Sequence, residues 1–267
     1  MTSNDNAASV RRLVIRVGRL TLSFSTTEGS EVVYEPYPLK SSISLAANMR
    51  EALRDVPMLR QSYQRVLVLV DAPVLLVPAE QFDESQMEVC YNHAFTRKEQ
   101  QTVFSTVLSD LSSVAVFSVQ KDLCTVLTDT YGDVRFVAAL APVWRHLNQR
   151  SYTGQHGKLY AYFREKSLDV FSFAQNRFKF CNSFAVGTTD DAIYYMLAAW
   201  KQLGLQAEHD ELYLTGDMTG HDNLKEELTK FIKRVFVINP AGEFNRVGVA
   251  QLAGIPYDLV TLYVKGL

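Results

Sequence analysis

Two stretches decide the fold: RRLVIRVGRLTLSFSTTEGSEVVYEPYPL, from Arg11 to Leu39, and GKLYAYFREKSLDVFSFAQNRFKFCNSFAV, from Gly157 to Val186. Each carries three apolar runs: Leu13–Val17, Leu20–Phe24 and Val32–Tyr37 in the first, Leu159–Phe163, Leu168–Phe173 and Arg177–Phe184 in the second. Turn residues separate the runs, with Glu28-Gly29-Ser30 in one copy and Gln175-Asn176 in the other. Intervals this short leave no room for a parallel crossover, so each stretch is predicted to be an antiparallel meander.

A helix follows each meander. Ser41–Val56 places Leu45, Met49, Leu53 and Val56 on one face and stops at Pro57. Thr188–Leu203 places Ile193, Met196, Leu197, Trp200 and Leu203 on one face, with Thr188 as cap, Asp190 and Asp191 in the first turn and Gly204 past the end. Each helix returns to a strand, Arg65–Val70 and Glu211–Thr215. A helix over Lys98–Leu111 and a strand over Val114–Val119 close the first half; a helix over Leu224–Val235 and a strand over Val235–Ile238 extend the second. The polar segment His146–Lys158 reads as the linker. The pattern predicts an α/β protein of duplicated βββαβα lobes, residues 1–150 and 151–267, with a cleft between them.

Composition fits that reading. The 267 residues are 47% hydrophobic and 21% charged, with a net charge of −2, so the basic surplus of a nucleic-acid binder is missing. The polar start, Met1–Ser9, lacks the pattern of a signal peptide, and Asp71 and Pro73 break the longest apolar run, Val66–Val77, well short of a membrane span. Three widely spaced cysteines, Cys90, Cys124 and Cys181, suit reduced, buried thiols and a cytoplasmic protein.

A duplicated βββαβα unit resembles the actin-like ATPase superfamily of sugar kinases, heat-shock ATPases, actin and bacterial filament proteins, whose lobes have a ribonuclease H-like architecture. The run CNSFAVGTTDDAIYYMLAAWKQLGL, Cys181 to Leu205, followed by DELYLTGDM, Asp210 to Met218, resembles a Bacteroidetes family of unknown function with that fold. The matching residues are Asn182-Ser183-Phe184, Thr188, Asp191, Tyr194-Tyr195, Leu203, Leu214 and Gly216.

That resemblance implies where phosphate and metal contacts belong. In catalytic members the first strand ends Asp-x-Gly and the second lobe's hairpin carries Asp-x-Gly-Gly-Gly-Thr-Thr-Asp; glycines admit phosphate oxygens to backbone N–H groups, and the acid organises magnesium. Here Gly18 fits, but Arg16 stands at the acid position. In the second hairpin Tyr162 takes the acid position, Arg164, Glu165 and Lys166 take the glycine positions, and only Asp169 matches. Unit charges about 4 Å apart interact by roughly 4 kcal/mol at an effective dielectric near 20, so an arginine beside a divalent cation replaces attraction by repulsion. Magnesium-dependent hydrolysis is not expected. The preferred reading keeps the charged hairpin tips in solvent; the alternative makes Arg16, Arg164 and Lys166, with Arg19, an anion-binding cluster across the cleft. Leu212-Tyr213-Leu214-Thr215-Gly216-Asp217 resembles the segment that approaches adenosine, making Gly18, Thr215 and Gly216 the cofactor-binding candidates, although Asp217 replaces a second glycine.

No dinucleotide fingerprint, Walker-type loop or nucleophile elbow is present. Cys90 and His93 have metal-like spacing without a second pair, so no metal site is predicted. His146, His156, His209 and His221 lie in polar segments and read as surface residues. Three functions remain: a non-hydrolysing actin-like module acting on a protein partner, which is preferred; a cleft binder of nucleotide or another small anion, ATP included; and an ATPase or kinase using Asp71, Asp169 and Asp217. The first predicts no cofactor and no enzyme activity.

Overall fold

Alternation of apolar residues makes the opening meander a sheet as expected. The structure, a computed structural model, describes residues 11–29, 31–96 and 100–266; Met1–Ser9, the turn residue Ser30 and Lys98 lie outside them. Strands β1 (Arg12–Val17), β2 (Thr21–Glu28) and β3 (Glu31–Pro38) run antiparallel. Helix α1 (Leu45–Asp55), capped by the Ser44 side chain, leads to β4 (Arg65–Val70), parallel to β1. Then β5 (Val74–Pro78), α2 (Met87–Ala94), β6 (Gln101–Leu108) and β7 (Ser113–Gln120) intervene before α3 (Lys121–Tyr131), β8 (Val134–Ala138) and α4 (Ala141–Ser151).

The second half repeats the opening with β9 (Lys158–Arg164), β10 (Ser167–Ala174), β11 (Arg177–Ala185), α5 (Thr189–Gln202) and β12 (Glu211–Gly216). It continues through α6 (Leu224–Thr229), β13 (Val235–Val237), α7 (Pro240–Glu243) and α8 (Tyr257–Lys265). The two main sheets have matching order and directions: β3-β2-β1-β4-β8 and β11-β10-β9-β12-β13, each an antiparallel meander joined to two parallel strands. Thr188 and Asp191 form a reciprocal capping box on α5.

Four expectations change. Lys98–Leu111 is not a helix: its described part is β6, antiparallel to β7 in a third sheet of order β5-β7-β6. Thr102-Val103-Phe104-Ser105-Thr106-Val107 is rich in β-branched residues and meets a partner strand after only a short turn, which outweighs its helix-like apolar spacing. The helix expected over Leu224–Val235 ends at Thr229; Leu224 and Leu228 are buried while Phe231 is exposed. The linker is shorter than His146–Lys158, because α4 runs to Ser151 and Lys158 opens β9. Cys90 is exposed on α2, whereas Cys124 is part-buried with its thiol pushed up to about 11 by burial, and burial raises Cys181 as well.

Strand β9 is buried on both faces, as a central strand flanked by helices must be. Leu159, Ala161 and Phe163 join the core under α5 and α6, while Tyr160 and Tyr162 join the larger core beneath α4 and α8. Helix α8 returns to the first lobe: Leu259, Val260 and Leu262 share a core with Trp144 and Leu147 of α4, and the Tyr263 hydroxyl donates to Ser25 Oγ at 2.9 Å. This return sets the site's geometry, because α8 covers the face of β1 that carries Val14 and Arg16.

Candidate functional site

Three chain segments converge where the two meanders meet: the β1–β2 turn (Gly18–Leu20), the β9–β10 turn (Glu165-Lys166) and the start of α8. Period-two alternation sends Arg16 to the α8 side of its sheet, across from Ser23 of β2. The residue is 2% exposed. Its Nε is shared between Asp258 Oδ2 at 2.8 Å and Oδ1 at 3.0 Å, and its Nη1 reaches Glu165 Oε1 at 3.1 Å. Burial works against the charged guanidinium, but Asp258 outweighs it and Arg16 is held firmly protonated. The Tyr162 hydroxyl lies 3.3 Å from Asp258 Oδ2, and burial, with the Asp258 charge, pushes that phenol well up.

Arg164 is arranged likewise. It is 4% exposed; its Nε meets Asp169 Oδ2 at 2.5 Å, its Nη2 meets Asp169 Oδ1 at 3.1 Å, and its Nη1 pairs with Asp71 of the first lobe. Asp169 also accepts from Ser183 Oγ, and Arg19 Nε lies 3.7 Å from Asp71 Oδ2. Desolvation opposes the charge on Arg164, yet Asp169 and Asp71 hold its pKa well above the ordinary range. The expectation that these tips stay in solvent therefore fails for both arginines. Each is buried because acids from elsewhere in the chain satisfy it, the condition under which a charge can leave water. Lys166 remains exposed at the cleft mouth.

Glu165 ties the two turns together. Its Oε2 accepts from the Arg19 backbone N–H at 2.5 Å and the Leu20 N–H at 2.7 Å; its Oε1 accepts from Thr21 Oγ1 at 2.7 Å and from Arg16. Gly18 makes the turn fit: a Cβ there would stand 2.6 Å from Arg16 Nη1 and 2.8 Å from the Thr21 carbonyl oxygen. Above these turns a cleft of about 930 Å³ opens between the lobes. Gly216, at φ +94°, lines it, and a Cβ there would fall 2.7 Å from the Tyr162 ring. Thr215 is fully buried with its hydroxyl unpartnered, and Asp217 Oδ1 accepts from Thr219 N and Oγ1 at 3.1 and 2.6 Å. The structure thus brings Arg16, Arg164, Lys166 and Gly216 to the lining of one cleft; Gly18 and the buried Thr215 do not line it, and Asp71 and Asp169 are engaged by Arg164.

The sequence motifs do not single out Asp258, and they offer Glu165 only as an occupant of a glycine position. A signal for Asp258 did exist: it is the lone acid in the apolar helical run Tyr257-Asp258-Leu259-Val260-Thr261-Leu262. His146 also differs from expectation, being 7% exposed in α4 with Nε2 3.2 Å from Glu243 Oε1. Arg150 Nη1 and the Tyr257 hydroxyl share that carboxylate. Among the described residues no group of three or more His, Cys, Asp or Glu side chains could hold a metal ion.

Matching meander sheets, the interlobe cleft and the closing helix define an actin-like ATPase fold. The chain belongs to the family described as "Protein of unknown function (DUF3822)", whose model matches residues 2–235. It is similar to a Bacteroides thetaiotaomicron protein with an actin-like ATPase fold and unknown function, at 29% identity and a TM-score of 0.82, over 94% of this chain and 100% of that one. A second solved structure, "PilM-PilN type IV pilus biogenesis complex", is similar at 15% identity and a TM-score of 0.57, over 96% of this chain and 98% of that one, a likeness of fold. No curated protein matches the chain. Among the described residues no helix is long and apolar enough to cross a membrane.

Proposed function

We propose that this is a non-hydrolysing actin-fold protein that works in the cytoplasm by engaging a protein partner, its paired lobes arising by duplication. One observation carries the reading: where the superfamily's signature places a magnesium-organising acid, this chain places Arg16, buried and neutralised by Asp258. The position holds a guanidinium paired with Asp258 instead of an available carboxylate, and Asp71 and Asp169 are drawn off by Arg164. The residues do not fit a magnesium triphosphate at the hairpins. The partner half of the reading is supported by fold likeness to the pilus biogenesis complex, an analogy of architecture.

A second reading has its own observation. The cleft of about 930 Å³, with Gly216 on its wall and Lys166 at its mouth, has room for a nucleotide or another anion bound without turnover. Thermal unfolding with ATP, with and without magnesium, separates the two. A ligand at 100 times its dissociation constant stabilises by about 2.7 kcal/mol. The first reading predicts no shift under either condition. A magnesium-independent shift establishes the second reading, and a magnesium-dependent shift overturns both.

A further inference from the structure

The Glu165 carboxylate is held by four donors from the other lobe: two consecutive backbone N–H groups, the Thr21 hydroxyl and the buried Arg16 guanidinium. Ordinary exposed ion pairs have one or two flexible partners and contribute little. Consecutive backbone N–H groups in a turn form a concavity suited to an oxyanion, and here both point at one carboxylate oxygen. The guanidinium is not the main reason for the contact, because Asp258 already neutralises it. What Glu165 satisfies is the turn.

The second observation is conformational. Glu165 and Lys166 form the two-residue β9–β10 turn at φ +38° and +66°, the left-handed region in which residues with a Cβ are disfavoured. Glycine would relieve the strain at either position. A two-residue hairpin imposes these angles, as it does at Gln175 and Asn176 in the β10–β11 turn; here the turn aims Glu165 outward, and all four of its side-chain hydrogen bonds lie across the cleft.

We propose that Glu165 is an intramolecular ligand: its carboxylate fills an oxyanion site built from the Arg19 and Leu20 amides, Thr21 and Arg16, and thereby fastens the two lobes together. Withdrawing the side chain leaves a site for a small tetrahedral oxyanion, inorganic phosphate or sulfate. The inference goes beyond the functional reading above and does not depend on whether a protein partner exists.

The test compares amide hydrogen exchange at Arg19 and Leu20 in the full chain, in Glu165→Ala and in Glu165→Gln, each with and without inorganic phosphate. Both variants are expected to exchange faster at these two amides, by about tenfold or more in Glu165→Ala, the factor corresponding to ~1.4 kcal/mol. Phosphate is expected to restore protection in Glu165→Ala and to leave the native chain unchanged. If Glu165→Ala does not fold, Glu165→Gln, which keeps one acceptor oxygen, carries the same comparison with a smaller effect. Unchanged exchange in the variants overturns the fastening role; faster exchange that phosphate fails to reverse overturns the oxyanion site. ATP titration of the native chain tests the functional reading separately, so the two failures are distinguishable.

Discussion

Removing Asp258 is the sharpest perturbation of the buried charge cluster. Its side chain is fully buried and Arg16 is 2% exposed, so Asp258→Ala leaves a guanidinium inside the protein with Glu165 as its one remaining acid partner among the described residues. Breaking a buried pair by deleting one member costs about 3–5 kcal/mol. Glu165 Oε1 still faces Nη1 at 3.1 Å and compensates part of the charge, so the lower half of that range is expected. For a chain of this size each kcal/mol moves the thermal midpoint by roughly 2–4 °C, so a fall of about 6–16 °C is predicted. The assay is thermal unfolding followed by circular dichroism, with urea unfolding to confirm the free energy. The double variant Arg16→Met with Asp258→Leu removes both charges and should recover most of the loss, since a buried pair replaced by apolar groups is often neutral or stabilising. A loss below about 1 kcal/mol for Asp258→Ala, or a double variant no better than the single, would refute the claim that Asp258 exists to neutralise Arg16.

Two further outcomes follow from the same geometry. Gly216→Ala puts a Cβ at φ +94° and within 2.7 Å of the Tyr162 ring, so a stability loss of about 2–5 kcal/mol is expected by urea unfolding, against about 1–2 kcal/mol for Gly220→Ala, where φ is +83° and nothing lies within 4 Å of the added Cβ. Burial pushes the Glu243 carboxyl up, but His146, Arg150 and Tyr257 outweigh it and hold the group below its usual range. A lowered carboxyl adds stability that is present above the unfolded value near 4.3 and fades as pH falls through the folded value. Glu243→Gln should therefore destabilise most at neutral pH, with the gap to the native chain closing below about pH 4; a gap independent of pH would contradict the assignment.

Much of the scaffold was legible because its signals are local. The two meanders, α1, α5 with its Thr188 cap, and the return strands β4 and β12 follow from alternation, amphipathic spacing and turn chemistry within a few residues; the start of α1 at Leu45, capped by Ser44, does not. The third sheet was not legible. Val66–Val77 shows one apolar run where the chain makes two strands, β4 and part of β5, and Val103, Phe104, Val107 and Leu108 fall at a helix-like spacing although their segment is a strand. At the site, Gly18, Arg16, Arg164 and Gly216 could be singled out by position. Their environment could not, because Arg16 meets Asp258 from 242 residues away and Glu165 from 149. Arg16, read as part of a solvated tip, is buried against Asp258 because α8 folds back over β1, while Arg164 is buried between Asp169 of its own hairpin and Asp71 of the first lobe. Sequence spacing carries no information about such a return.

The central claim is that the paired hairpins hold one another rather than a metal triphosphate. A crystal structure of the protein grown with millimolar magnesium-ATP tests it most directly. The account predicts Arg16 on Asp258 and Glu165 on the Arg19 and Leu20 amides, with no phosphate between the turns. Magnesium-ATP seated between Gly18 and Tyr162, with Glu165 displaced, would contradict it.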